Sequence, residues 1–351
     1  MLKKITSLLL VSILMLCIIT GCTKSKDSAS DETNTTNSEQ NTVSDENTAN
    51  ETKKKSDISI GCMKGPTAIG MIKLLSDSDQ QIAKNNYNYT IAGTADEISV
   101  GLINGSLDIA AVPCNLAAIL YQKTEGEVVT VAINTLGVLY IVESGDTIKT
   151  VSDLKGKTIY STGQGTTPEY TLRFLLTSSG LDPDKDVTIE YKTEASEVVA
   201  VLSQNPDAVA MLPQPYVTVA MNNNENLRIA LDVTKEWEAN SDSTVVTGVI
   251  VARKSFIETN SGAFEHFLAE YESSTSYANS NVEETATLLE EFDVFKAAVA
   301  KKAIPYCNVT FMQGEEMVSN VIAYLTVLYD ENPASIGGKL PEEGMFYTNA
   351  N

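Results

Sequence analysis

From residue 57 onward the chain alternates short β-branched runs with stretches of helical period, and that alternation limits its fold more than any other feature. Strand candidates fall at 58–62, 89–92, 108–112, 128–133 and 139–142, with helical segments at 68–75, 95–104 and 115–122 between them. Strand, helix, strand repeated in this way predicts a mainly parallel sheet with helices on its faces. A second cycle opens at 151–176, where Lys155-Gly156-Lys157 precedes a strand and a Gly-rich loop starts a helix. It continues through a strand at 187–191, a helix at 194–202, a strand at 207–212 and a turn at Gln214-Pro215. A further strand at 245–252 leads into a helix-rich tail that includes a helix at 262–277 and runs to about residue 328. No repeat of fixed period appears.

Two apolar strands, 136–142 and 245–252, bracket the middle unit, so the chain is expected to leave a first lobe once and return to it once. The expected division is lobe I at 57–136 plus 247–351 and lobe II at 137–246. Gly137 and Gly248 sit at the two crossings. Glycine there suits the backbone changes of a hinge, and it equally suits relief of close packing at a strand start.

The first residues address the chain outward. Lys3 and Lys4 precede an apolar run that ends in Thr20, Gly21 and Cys22, the pattern of a secretory leader over 1–21. The Ile-Thr-Gly-Cys ending resembles a bacterial lipobox, which implies cleavage before Cys22, lipidation of its thiol and membrane attachment through it. Residues 22–56 then form a polar tether with too little apolar surface to offset the entropy of ordering. Seven acidic residues in this N-terminal region are matched by seven lysines, which leaves the whole formal charge of −21 on the folded part. Nucleic acid is thereby excluded as a partner. Once Cys17 and Cys22 are set aside, Cys62, Cys114 and Cys307 remain. They lack metal-type spacing, and whether any two pair stays open. The sole histidine, His266, falls within the predicted helix at 262–277 and reads as a solvated or core-edge side chain.

Three segments carry a family resemblance: SDLKGKTIYSTGQGTTPEYTL at 152–172, INGSLDIAAVPCNLAA at 103–118 and TGVIVARKSFIETN at 247–260. In this order, behind a lipobox, they resemble the SsuA/THI5-like solute-binding proteins of ABC importers. The resemblance implies an α/β fold of the type II periplasmic-binding-protein kind, with two lobes and two hinge crossovers. It also implies an extracytoplasmic monomer that takes a small organic solute and delivers it to a permease and ATPase complex, with no cofactor.

Four loops follow strands where a cleft between such lobes would lie. They supply Lys64, Gly65, Pro66 and Thr67; Cys114 and Asn115; Gln164, Gly165, Thr166 and Thr167; and Gln214. Asn134 and Thr135, near the first crossing, join them as candidates. Three of the loops lead into helices, whose free N–H groups attract polar ligands. Thr67, Asn115 and Thr167 have side chains suited either to capping those helices or to contacting a ligand. The three arginines, Arg173, Arg228 and Arg253, lie outside the loops, and Lys64 is their one cation. A doubly charged anion normally calls for guanidinium pairs, so a neutral, zwitterionic or singly charged solute is expected. Trp237, Tyr170 and Tyr216 could stack on a flat ring or serve as packing.

Two other functions suit the same fold. A cofactor-dependent enzyme of the pyrimidine-synthase type calls for an active-site histidine and a cysteine-rich motif, which this sequence lacks. A repurposed sensory or adhesion lipoprotein is not distinguished by sequence.

Overall fold

The computed structural model describes residues 55–348. The leader, the Cys22 lipidation site and the tether up to residue 54 fall outside the described residues. Strand β1 (Asp57–Met63) turns through a short helix α1 (Pro66–Ile69) into α2 (Ile72–Asp79), then come β2 (Asn86–Ala92), α3 (Ala95–Asn104), β3 (Ile109–Pro113), α4 (Cys114–Lys123) and β4 (Val128–Leu136). A second group follows: β5 (Leu139–Ser144), β6 (Thr158–Thr162), α5 (Thr167–Ser178), β7 (Thr188–Lys192), α6 (Ala195–Gln204), β8 (Val209–Pro213), α7 (Tyr216–Asn223), β9 (Leu227–Asp232) and α8 (Val233–Glu238). The chain ends with β10 (Val246–Arg253), α9 (Lys254–Thr259), α10 (Ser261–Ser280), α11 (Val282–Glu291), α12 (Ala297–Ala303), β11 (Val309–Met312) and α13 (Gly314–Glu331).

These strands form two sheets. The first has the order β11-β4-β10-β3-β1-β2 and the second β7-β6-β8-β5-β9. Strand β10 is antiparallel to both of its neighbours, so β3 and β4 run the same way on either side of it. Strands β3 and β10 are apolar along nearly their whole length because helices cover both of their faces.

The helix expected at 95–104 appears with those bounds. It stops at Gly105, whose φ of 79° is left-handed and whose missing Cβ leaves room for Arg253. The single helix expected at 68–75 is broken instead. At the break, a Cβ on Gly70 would lie 2.9 Å from the Tyr271 hydroxyl, so α10 presses on the chain there. The tail also holds a strand that its helical pattern did not predict: β11 adds to the edge of the first sheet beside β4.

One apolar core spans both sheets along a seam made by α4, α5, α8 and α13. Trp237 anchors it, fully buried, with its ring 4.3 Å from Phe174 and 5.1 Å from Tyr324. Its indole N–H donates to Ser243 Oγ at 3.0 Å. Trp237 therefore packs the seam and offers no platform to a ligand. Trp237→Ala should lower the unfolding free energy by about 3–5 kcal/mol in urea titration, because a cavity of that size cannot collapse across two sheets.

Candidate functional site

Strand direction determines where a site can form. Strands β1, β3 and β4 end at the edge of the first sheet where β10 begins, and β6, β7 and β8 end at the edge of the second where β5 begins. Only Gly137 and Val138 separate β4 from β5. Between these carboxyl ends lies a cleft of about 310 Å³. The first sheet contributes Met63, Thr94, Asp96 and Pro113 to its walls, and the second contributes Gln164, Thr166, Tyr191 and Thr193.

The residues singled out from sequence divide into three groups. Gln164 and Thr166 line the cleft directly. Thr67, Cys114, Asn115, Asn134, Thr135 and Thr167 lie near it but are buried. None of the three suspected caps acts as one. Thr67 donates to the Met63 carbonyl at 3.2 Å and Thr167 donates to Asn115 Oδ1 at 3.4 Å. Asn115 donates to the carbonyls of Gly165 at 3.2 Å and Ser335 at 2.9 Å, so it pins the Gly-rich loop of the second sheet to elements of the first. Gly65 caps α1 with extended backbone, followed by Pro66, and a Cβ on Gly65 would meet nothing within 4 Å.

Lys64 and Gln214 have local duties. The Lys64 ammonium approaches Asp293 at 3.7 Å, and its carbonyl accepts from the Tyr216 hydroxyl at 3.4 Å. Gln214 Oε1 accepts from Thr218 Oγ1 at 2.8 Å. Gly137 and Gly248 are positions of close approach: a Cβ would sit 1.9 Å from Thr234 Oγ1 at the first and 2.6 Å from Asn134 Oδ1 at the second.

Among the described residues, several polar groups in this region lack partners. Asn134 Oδ1, Thr135 Oγ1, Thr247 Oγ1 and the Tyr191 hydroxyl are buried atoms without a hydrogen bond. Burial, reinforced by Glu169, holds the Tyr191 hydroxyl well above the usual phenol range, so it stays protonated. Burial likewise pushes the Cys114 thiol up and makes it a poor nucleophile. Cys62, Cys114 and Cys307 are all free and buried.

Half of the named wall residues come from the segments around the ends of β2 and β7, which are not among the four loops expected from sequence. Each carries a threonine at a strand end just before a helix, Thr94 and Thr193, followed by acidic residues. Applying the strand-end rule to every strand would have found them. Among the described residues no group of three or more His, Cys, Asp or Glu side chains is placed to hold a metal ion, and no helix is long and apolar enough to cross a membrane.

Residues 115–285 match the family model described as NMT1/THI5 like. Among solved structures, the chain is similar to an ABC transporter protein from Parabacteroides distasonis, at 22% identity and TM-score 0.70, over 84% of this chain and 100% of that one. It is similar to the periplasmic aliphatic sulphonate binding protein SsuA of Escherichia coli at 19% identity and TM-score 0.66, over 82% and 96% of the two chains. The periplasmic nitrate-binding protein NrtA of Synechocystis PCC 6803 matches at 14% identity and TM-score 0.61, over 80% and 83%. No curated protein matches the chain by sequence. These likenesses establish the type II periplasmic-binding-protein fold.

Removing the Asn115 amide strands the buried Ser335 carbonyl and releases the half-buried bond to Gly165. Asn115→Ala should cost about 1–3 kcal/mol of stability by thermal or chemical denaturation, and it should increase hydrogen exchange in the loop around Gly165.

Proposed function

We propose that this protein is the solute-binding component of an ABC importer, held outside the cytoplasm by a lipid on Cys22. One observation carries the reading: two sheets aim their carboxyl strand ends at a shared cleft, the position where open α/β sheets bind ligands. The NMT1/THI5-like match and the sulphonate- and nitrate-binding relatives, all of this fold, support it. The working division is lobe I at 57–136 plus 247–351 and lobe II at 137–246, which turn on the crossings beside Gly137 and Gly248. A small organic solute enters between them, meets Gln164, Thr166, the loops around Gly65 and Asn115 and the end of β4 at Asn134, and is enclosed as the lobes close. The protein acts as a monomer and passes the solute to a permease and ATPase.

Binding of this kind needs no chemistry. About 8 kcal/mol suffices for micromolar affinity, within reach of a few hydrogen bonds and a dry wall. The groups that line the cleft suit holding better than reacting. Its tyrosine is kept protonated, the adjacent Cys114 thiol is held in its neutral form, and His266 lies on α10 in a separate depression with Lys55 and Asn85.

Filling the cleft from its wall tests the site. Thr166→Trp should abolish the thermal stabilisation produced by solutes that stabilise the native protein, while shifting the melting temperature of the free protein little; retained stabilisation would place the site elsewhere. The anchor is tested separately. Cys22→Ala should move the protein from the membrane fraction to the soluble fraction, and a variant still on the membrane would remove the lipid from the account.

A further inference from the structure

Resting on that reading of the cleft, we infer that the solute it admits bears no negative charge. Three of the helices that start at the walls, α3, α5 and α6, carry the protein's own carboxylates at their positive ends, while α4, which starts beside Pro113, carries none. Helix α3 starts with Asp96 and Glu97 in its first turn, and Asp96 lines the cleft. At α5, Glu169 Oε2 accepts the Gly165 N–H at 2.7 Å. At α6, Glu197 Oε2 accepts the Thr193 N–H at 2.9 Å. Free N–H groups at a helix start attract anions; here three such starts carry acidic side chains in their first turn. An anion entering between them would meet like charge and few open donors.

Cations that could compensate are engaged elsewhere. Arg173 forms a two-pronged pair with Asp184 at 2.9 and 2.8 Å, Arg228 is bound to Glu143, and Arg253 pairs with Glu127 at 3.3 Å. Lys192, the one cation on the cleft wall among the described residues, lies 3.3 Å from Glu190 and 5.4 Å from the centre of the Tyr160 ring. More negative charge converges where the two sheets approach each other at Gly93. A Cβ on Gly93 would lie 3.1 Å from an oxygen of Glu194, from the second sheet, and 3.9 Å from one of Glu97, from the first. The field at the mouth therefore repels anions and favours neutral or positive solutes.

What the walls offer instead is hydrogen bonding. Gln164 on the wall is exposed, with both an amide N–H and a carbonyl available. A solute that presents N–H or O–H groups satisfies the Gln164 carbonyl and the Asp96 carboxylate together.

Matched acid and amide pairs test this directly, since each pair keeps its shape and changes its charge. The native protein is titrated calorimetrically at low ionic strength with ethanesulfonate against ethanesulfonamide, nicotinate against nicotinamide, and a panel of further pairs built the same way. The neutral member of any pair that binds should be at least tenfold tighter. In the double variant Asp96→Asn, Glu169→Gln, checked for an unchanged fold by circular dichroism, that gap should narrow by severalfold. Equal or tighter binding of the acids overturns the inference and leaves the solute-binding reading standing, and so does a gap that the double variant leaves unchanged. Silence from every pair counts against the solute-binding reading and takes this inference with it.

Discussion

Strand β10 runs backwards through the middle of the first sheet, and the cleft depends on it. The chain leaves that sheet after β4, builds the second sheet and returns, and the return strand enters between β3 and β4 where helices seal both faces. From Val249 to Ala252 every residue is fully buried. An antiparallel strand in that place begins at the edge where its parallel neighbours end, so both crossings lie at the same edge as the candidate site. The two sheets are thus joined beside their carboxyl ends, and the polar loops that follow those ends have to face each other.

Two kinds of contact then share the space between the sheets. The apolar seam around Trp237, Phe174 and Tyr324 fixes one side, while the other side is polar and narrow. Asn115 connects them. It stands at the start of α4 within the seam, yet its amide reaches the Gly-rich loop of the second sheet. A solute gains from this arrangement because the dry seam lowers the dielectric around any hydrogen bond made nearby. Buried atoms without partners, such as Thr135 Oγ1, mark where the protein alone leaves hydrogen-bonding capacity unused.

Much of the fold could be read from the sequence because its inner strands are apolar almost without interruption. Residues 108–112, 128–133 and 245–252 announce themselves that way, and helix α3 carries both its acidic start and its glycine stop. Edge elements hide. Strand β9 mixes buried and half-exposed positions and includes Arg228, and β11 has only four residues and joins a partner far away in sequence. The site was legible by place more than by role. Thr67, Asn115 and Thr167 look like caps to any local rule, but Thr67 bonds a carbonyl one turn back, and Asn115 and Thr167 satisfy partners set by tertiary structure: a loop of the other sheet and each other. Tyr191 lines the cleft from a strand end whose sequence, Tyr-Lys-Thr, carries no glycine to draw notice.

The claim that matters most is that one solute touches both sheets at once. Hydrogen exchange followed by mass spectrometry, with and without a solute identified by calorimetry, reads this peptide by peptide. The account predicts simultaneous slowing in the loops after β1 and β2 of the first sheet and after β6 and β7 of the second. Slowing confined to one sheet, or centred on the depression near His266, would contradict it.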